Sequence, residues 1–187
     1  LNIRVRMQNR VTYSKFDNNP RDIAAQVQRL RLKLSGFVLN PKLTYLIQTD
    51  LAPQNRIYYQ NKEYLNVLMD AVIYYDFNKY FQAGFGQAKL PGNRQKHNSS
   101  SALQLTDRSI NNTEFNIDYD FGVFANFKNM ASDRFSWQIK TAISTGEGRN
   151  IPVELNNGLA YTGRVELYPL GAFAKNGAFF ESDLVRE

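Results

Sequence analysis

Arginine recurs at alternate residues in two separate stretches of this chain. Arg4, Arg6 and Arg10 stand in the first, and Arg29 and Arg31, followed by Lys33, in the second. In an extended backbone alternate residues point the same way, so each set shares one face at spacings of about 7 Å. A guanidinium keeps its charge and offers a planar fork of donors, which suits oxyanions such as phosphate. If residues 17–22 turn the chain, Arg10 is expected opposite Arg29 and Arg6 opposite Lys33. Like charges so placed cost stability across a strand pair and would cost far more in a dry core. The face that carries them must therefore meet water. Asp50 is expected near Arg31, where it would neutralise part of the row, and Asp70 and Asp76 are the other acids able to answer it.

Other chemistry finds less support. His97 is the sole histidine and sits in a Ser/Asn-rich stretch, where it reads as a solvated loop residue rather than a general base. A metal there would have carboxylates alone for company, which is not a zinc donor set. No metal and no cofactor is expected. Asp118 and Asp120 share a strand face and could pair as acids, but a wall or turn role suits them better than the geometry a glycosidase requires. Gly84-Phe85-Gly86 and Gly146-Glu147-Gly148 have no helix after them to supply phosphate-binding donors, so their glycines read as relief of crowding or as loop residues. These features describe no enzyme. Nucleic acid is not an expected partner either, because the aromatics fall largely on the face opposite the arginines, whereas base stacking needs both on one side.

The elements that position these residues alternate with period 2 almost throughout. Leu1, Ile3, Val5, Met7, Val11 and Tyr13 oppose the first arginine row, and Leu30, Leu32, Leu34 and Gly36 oppose the second. After a tight turn at Asn40-Pro41, Leu43, Tyr45, Ile47 and Thr49 alternate with Thr44, Leu46, Gln48 and Asp50. Similar runs cover 65–77, 80–90, 115–127, 135–145 and 158–169. The pattern predicts about eight strands, many longer than the usual globular strand of about 5–6 residues and close to the about 9–11 tilted residues that cross a bilayer. Connections near 40–41, 78–79 and 128–134 are short, and those near 52–64, 91–114 and 146–157 are long and polar. Such an alternation is the plan of bacterial outer-membrane barrels. Tyr58, Tyr59, Tyr64, Tyr74, Tyr75, Tyr80 and Phe81 cluster near strand ends, where interfacial girdles would sit. Composition agrees: 13% aromatic residues with a mean hydropathy of −0.47 suits alternating surfaces better than a packed soluble core. Zero Cys removes disulfides and thiolate sites, and the net charge of +6 admits anionic partners.

Two architectures satisfy this pattern. In a membrane barrel, lipid covers the apolar face and the charges line water. In a soluble sandwich, a second sheet covers it and the charges face outward. A closed eight-stranded barrel has an interior just filled by side chains, too tight for both arginine rows, so a barrel here needs a wider lumen and more strands. The chain stops at Ser182-Asp183-Leu184-Val185-Arg186-Glu187 without a terminal aromatic residue and reads as the first part of such a barrel.

The segment Gly86-Gln87-Ala88-Lys89-Leu90-Pro91-Gly92-Asn93-Arg94-Gln95 resembles the strand-to-loop region of the phosphate-selective porins O and P. Leu105-Thr106-Asp107-Arg108-Ser109-Ile110 and Asp118-Tyr119-Asp120-Phe121-Gly122-Val123 resemble the stretch that follows it. Tyr161-Thr162-Gly163-Arg164-Val165-Glu166-Leu167-Tyr168-Pro169-Leu170-Gly171 is similar to a later segment, especially in Bacteroidetes-type members. The resemblance spans most of the chain and implies an all-β transmembrane antiparallel barrel of about sixteen strands, of which a single domain over 1–187 supplies about half. It implies a passive channel for small anions, phosphate among them, assembled as a homotrimer in outer-membrane lipid and lipopolysaccharide. The anion pathway is then expected along Arg4, Arg6, Arg10, Arg29, Arg31, Lys33 and Arg164. The resemblance further implies that the third outer loop, about 91–114, folds inward as a constriction carrying Arg94, Lys96 and Arg108 beside His97. Ser99, Ser100 and Ser101 stand where more cations are expected in the family, which favours general anion preference over phosphate specificity. The second reading is a soluble β-sandwich interaction module, or a non-conducting barrel scaffold with partners in an envelope complex.

Overall fold

A computed structural model describes residues 1–15, 21–53, 55–59, 62–97, 99, 108–130, 135–151 and 158–172. Its strands are β1 (Asn2–Ser14), β2 (Asp22–Val38), β3 (Asn40–Asp50), β4 (Arg56–Tyr59), β5 (Lys62–Leu65), β6 (Leu68–Asp76), β7 (Phe81–Lys89), β8 (Tyr119–Asn129), β9 (Ser136–Ser144) and β10 (Ala160–Tyr168). Two short helices, α1 (Arg94–His97) and α2 (Ile110–Glu114), interrupt the longest connection. Eight strands form one antiparallel sheet in the order β1-β2-β3-β6-β7-β8-β9-β10. The all-β expectation holds. The stretch 52–64, expected as plain loop, contains part of a separate hairpin of β4 and β5.

Neighbours in the sheet are consecutive along the chain once the β4–β5 hairpin is set aside, and where the connection is short, local turn chemistry sets the register. Asn78 closes one turn through its side-chain oxygen, which accepts from the Tyr80 and Phe81 amides at 2.8 and 3.0 Å. The turn expected at Asn40-Pro41 is centred one residue earlier, on Leu39 with φ 64°, and Asn40 Oδ1 accepts from the Lys42 and Leu43 amides. Between β1 and β2 the register differs from expectation: Arg6 stands opposite Arg31 and Arg4 opposite Lys33. A bulge between Gln8 and Asn9 then sets Arg10 opposite Gln26 rather than Arg29. Like charge still faces like charge. Gln8 intervenes, its side-chain oxygen accepting from Arg29 at 2.7 Å and from Arg6 at 3.2 Å.

The two faces of the sheet are chemically distinct. Ile3, Val5, Ile73, Phe85, Val123 and Val165 point away from the cations and are largely exposed. The buried apolar cluster is small: Val72, Ala88, Leu90, Phe124 and Ala142, with Leu46 and Tyr74 packed against it. Tyr74 therefore does not join a girdle; it belongs to this cluster, its ring lying over Gly84 on the neighbouring strand. An aromatic row does mark the short-turn rim, where Tyr75, Phe77, Phe81 and Phe127 stand in contact with ring centroids 4.9, 5.1 and 4.7 Å apart in sequence. The side chains of Tyr58, Tyr59 and Tyr64 lie outside the described residues.

Gly86 lies opposite both Val72 and Gly122, with φ 131°, a conformation open to glycine. A Cβ there would overlap the Ala71 carbonyl oxygen and press on Val72 Cα. Gly86→Ala is expected to destabilise the sheet by about 1–3 kcal/mol, as overpacking does, read as a lower urea midpoint for unfolding of the purified protein. An unchanged midpoint would contradict this close approach.

Candidate functional site

The polar face gathers its charges in two places. At the first, β2 and β3 bring Arg31 to Asp50, Nε to Oδ2 at 2.9 Å, as expected from the alternation. Asp50 also accepts from the Leu30 and Ala52 amides through Oδ1. Lys33 lies two residues further along the row and, with Arg31, lines a cavity of about 350 Å³ that reaches Asp70, Lys89 and Tyr119.

The long connection between β7 and β8 crosses over this face. Lys89, at the end of β7, donates to the Lys96 carbonyl at 3.1 Å, and Lys96 pairs with Asp118 at 2.7 Å. Arg108 donates from Nε to the Gln95 carbonyl at 3.0 Å, while Gln95 Oε1 accepts from Ser109 Oγ. Burial, with Arg29 and Arg31 close by, pushes the Arg108 guanidinium below its ordinary proton affinity, a penalty that an arriving anion would relieve. Arg31, Lys89, Lys96, Arg108 and Arg149 surround a cavity of about 90 Å³, with Asp118 the one acid among its described lining residues. By the same measure a water needs about 10–15 Å³, so the space admits a small hydrated oxyanion. Tyr119 closes one side, with Lys89 and Arg149 over its ring at 5.5 and 5.8 Å.

At the second place the loop is fastened to β9 and β10. Lys140 Nζ lies 2.8 Å from His97 Nε2 and 3.8 Å from Glu166. Arg164 spends donors on Glu166 at 2.5 Å and on the Gly92 carbonyl at 3.0 Å, and Tyr168 donates its hydroxyl to Glu166. His97 is thus mostly buried rather than solvated as expected, because the loop lies down on the sheet. Lys140 is a donor, so Nε2 accepts and the proton sits on Nδ1, which is buried without a partner among the described residues. Asp118 and Asp120 do not pair: the first answers Lys96, and the second accepts from Thr145 Oγ1 and the Gly146 amide.

The expected site residues are therefore distributed unevenly. Arg31, Lys96 and Arg108 converge on one cavity; Arg6, Arg29 and Lys33 flank it along β1 and β2; Arg4 and Arg10 lie further out on the same face. Arg164 fastens the loop. The side chain of Arg94 lies outside the described residues. Sequence reasoning missed Lys89, Lys140, Tyr119 and Arg149. Lys140 lies on the polar phase of a recognised strand, so alternation could have found it; Lys89 stands four residues from the outward-facing Phe85, and alternation alone would have put it on the apolar face. Arg149 follows a Gly-Glu-Gly triplet in a connection and gave no such signal.

The family described as phosphate-selective porin O and P matches residues 1–158. No curated protein and no solved structure matches the chain.

The docked loop is expected to respond to acid. Burial, then Lys140, Arg164 and Lys89, push His97 down to about 4 from the ordinary 6.5, with Glu166 alone opposing them. The undocked imidazole takes up a proton that the docked one refuses, so docking is strongest above pH 6.5 and weakens as pH falls toward 4, by at most about 1.4 kcal/mol per pH unit. Hydrogen exchange at residues 92–97, corrected for intrinsic rate, should quicken between pH 7 and pH 4.5, and His97→Gln should remove that dependence. Equal protection across the range would refute the Lys140–His97 contact as the fastening.

Proposed function

Because the chain belongs to the phosphate-selective porin O and P family, we propose that it forms the wall of a passive outer-membrane channel for small anions, phosphate among them. One observation carries this reading: the sheet turns a band of large apolar side chains out on one face and collects its cations on the other. Val5 is 70% exposed, Val165 63% and Phe85 60%, and an apolar surface of this extent calls for lipid or a partner to cover it. Among the described residues no second sheet of comparable size covers it. The eight-stranded sheet is open, with β1 and β10 at its edges; further strands that close a wider barrel would keep the cations around water instead of crowding them.

Within such a channel Arg4, Arg6, Arg10, Arg29, Arg31 and Lys33 lower the barrier for anions and raise it for cations. Conduction needs successive weak sites rather than one deep well, and rows of cations at alternate strand positions supply them. The β7–β8 loop, with Lys96 and Arg108 and with Arg94 on the same turn, would narrow the path. Assembly as a homotrimer in outer-membrane lipid and lipopolysaccharide is proposed with the family.

In a water-like dielectric, a cation about 7 Å from a passing anion contributes about 0.6 kcal/mol. Arg6→Ala with Arg31→Ala should therefore lower chloride permeability by about sevenfold and raise that of potassium by a like factor, so that the chloride-over-potassium ratio falls by about fiftyfold, and further as Asp50 loses its ion pair. The reversal potential of the full chain in a planar bilayer under a KCl gradient reads this ratio. An open channel with unchanged selectivity would reduce the arginine rows to an ordinary wet surface; absence of any channel from folded protein would favour a scaffold.

A further inference from the structure

A second connection reaches across the polar face. The chain after β9 begins at Thr145, whose amide donates to the Phe121 carbonyl at 3.0 Å. Asp120, 1% exposed, holds the next step: it accepts from Thr145 Oγ1 at 2.7 Å and from the Gly146 amide at 2.6 Å. Four residues on, Asn150 is fixed far from this root. Its amide donates to Gln87 Oε1 at 3.0 Å, and its Nδ2 donates to Asn66 Oδ1 at 2.7 Å and to the Leu68 carbonyl at 2.8 Å. The segment thus starts from β8 and β9 and ends against β7 and the entrance of β6. Left-handed backbone at Gly146, Gly148 and Asn150, with φ of 84°, 89° and 60°, gives the tight path between these anchors; Asn tolerates that region better than most residues.

Arg149 sits between the two anchors. Its guanidinium lies 5.8 Å from the Tyr119 ring, and its Nε, buried, has no hydrogen-bond partner among the described residues. That donor belongs to a residue lining the 90 Å³ cavity, across which stand Arg31, Lys96 and Arg108. An arginine nitrogen left without an acceptor in such a place costs stability, and an oxyanion in the cavity would satisfy it.

We propose that Arg149 is a specificity-determining residue for tetrahedral oxyanions, carried into the pathway by a second inward loop, with Asn150 and Asp120 as its positioning residues. The inference rests on the channel reading above. The β7–β8 loop brings Lys96 and Arg108 and the wall brings Arg31 and Lys89; Arg149 adds a donor from a third element, which makes the site selective for an ion with several oxygens rather than for chloride.

Block of chloride current by inorganic phosphate in the reconstituted full chain tests this. Arg149→Gln should raise the half-blocking phosphate concentration about tenfold, clearly more than the about threefold fall in chloride conductance that the loss of one cation beside the path brings, and Arg149→Lys should recover only part of the block. Asn150→Ala, which frees the loop without removing charge, should weaken block as Arg149→Gln does. Equal block of wild type and Arg149→Gln, or a conducting wild type that phosphate does not block, would overturn this inference and leave the anion channel standing. A folded wild type that passes no current would overturn the channel reading and, with it, this one.

Discussion

Like charges held on one face of a sheet constrain everything else in this protein. Arg6 opposite Arg31 and Arg4 opposite Lys33 cannot be packed into a dry core. They are tolerable in water, with acceptors between them, and Gln8 and Asp50 are those acceptors. Once one face must be wet, the strict alternation of the strands forces the apolar residues onto the other. The sheet then needs an apolar medium on one side and water on the other, which a lipid-embedded barrel wall provides without additional layers.

The acids on the polar face are spent on fastening rather than on neutralising the cations overall. Glu166 gathers Lys140, Arg164 and Tyr168 beneath the β7–β8 loop, Asp118 answers Lys96 within it, and Asp120 holds the start of the β9–β10 connection. These contacts tie down the two connections and leave Arg31, Lys89, Lys96, Arg108 and Arg149 around one cavity, with Asp118 the one acid among its described lining residues. A surplus of positive charge is thereby held in place, so that the proposed anion would meet a site needing little reorganisation. The small apolar cluster around Val72 and Phe124 lies in the same region and gives the loop something to pack on, since Phe124 and His97 line one cavity.

Strand identity was legible because the two faces meet different surroundings, and a period of 2 records that difference directly. Turns were legible to within about a residue because Asn at 40 and 78 carries a local hydrogen-bonding signature. The bulge between Gln8 and Asn9 has no such signature, and it shifted the expected pairing of Arg10. Of the cations on the polar face, the alternating rows of β1 and β2 were legible, whereas Lys140 on β9 was passed over and those placed by long-range contacts left no local signal. Asn150 meets Asn66 across 84 residues of sequence, and nothing local to Gly146-Glu147-Gly148-Arg149 announces that meeting. His97 was misread for the same reason: a Ser/Asn-rich neighbourhood suggests solvent, while its burial comes from Lys140 on a distant strand.

Because the chain has no cysteine, single cysteines can report each face of the sheet without interference. Cysteines placed in turn at 2–8 along β1, in the full chain reconstituted in lipid vesicles, would be exposed to a water-soluble, membrane-impermeant maleimide. Positions 2, 4, 6 and 8 should label, and positions 3, 5 and 7 should resist until detergent strips the lipid. Labelling of 3, 5 and 7 as fast as their neighbours would put water on both faces and contradict the membrane wall.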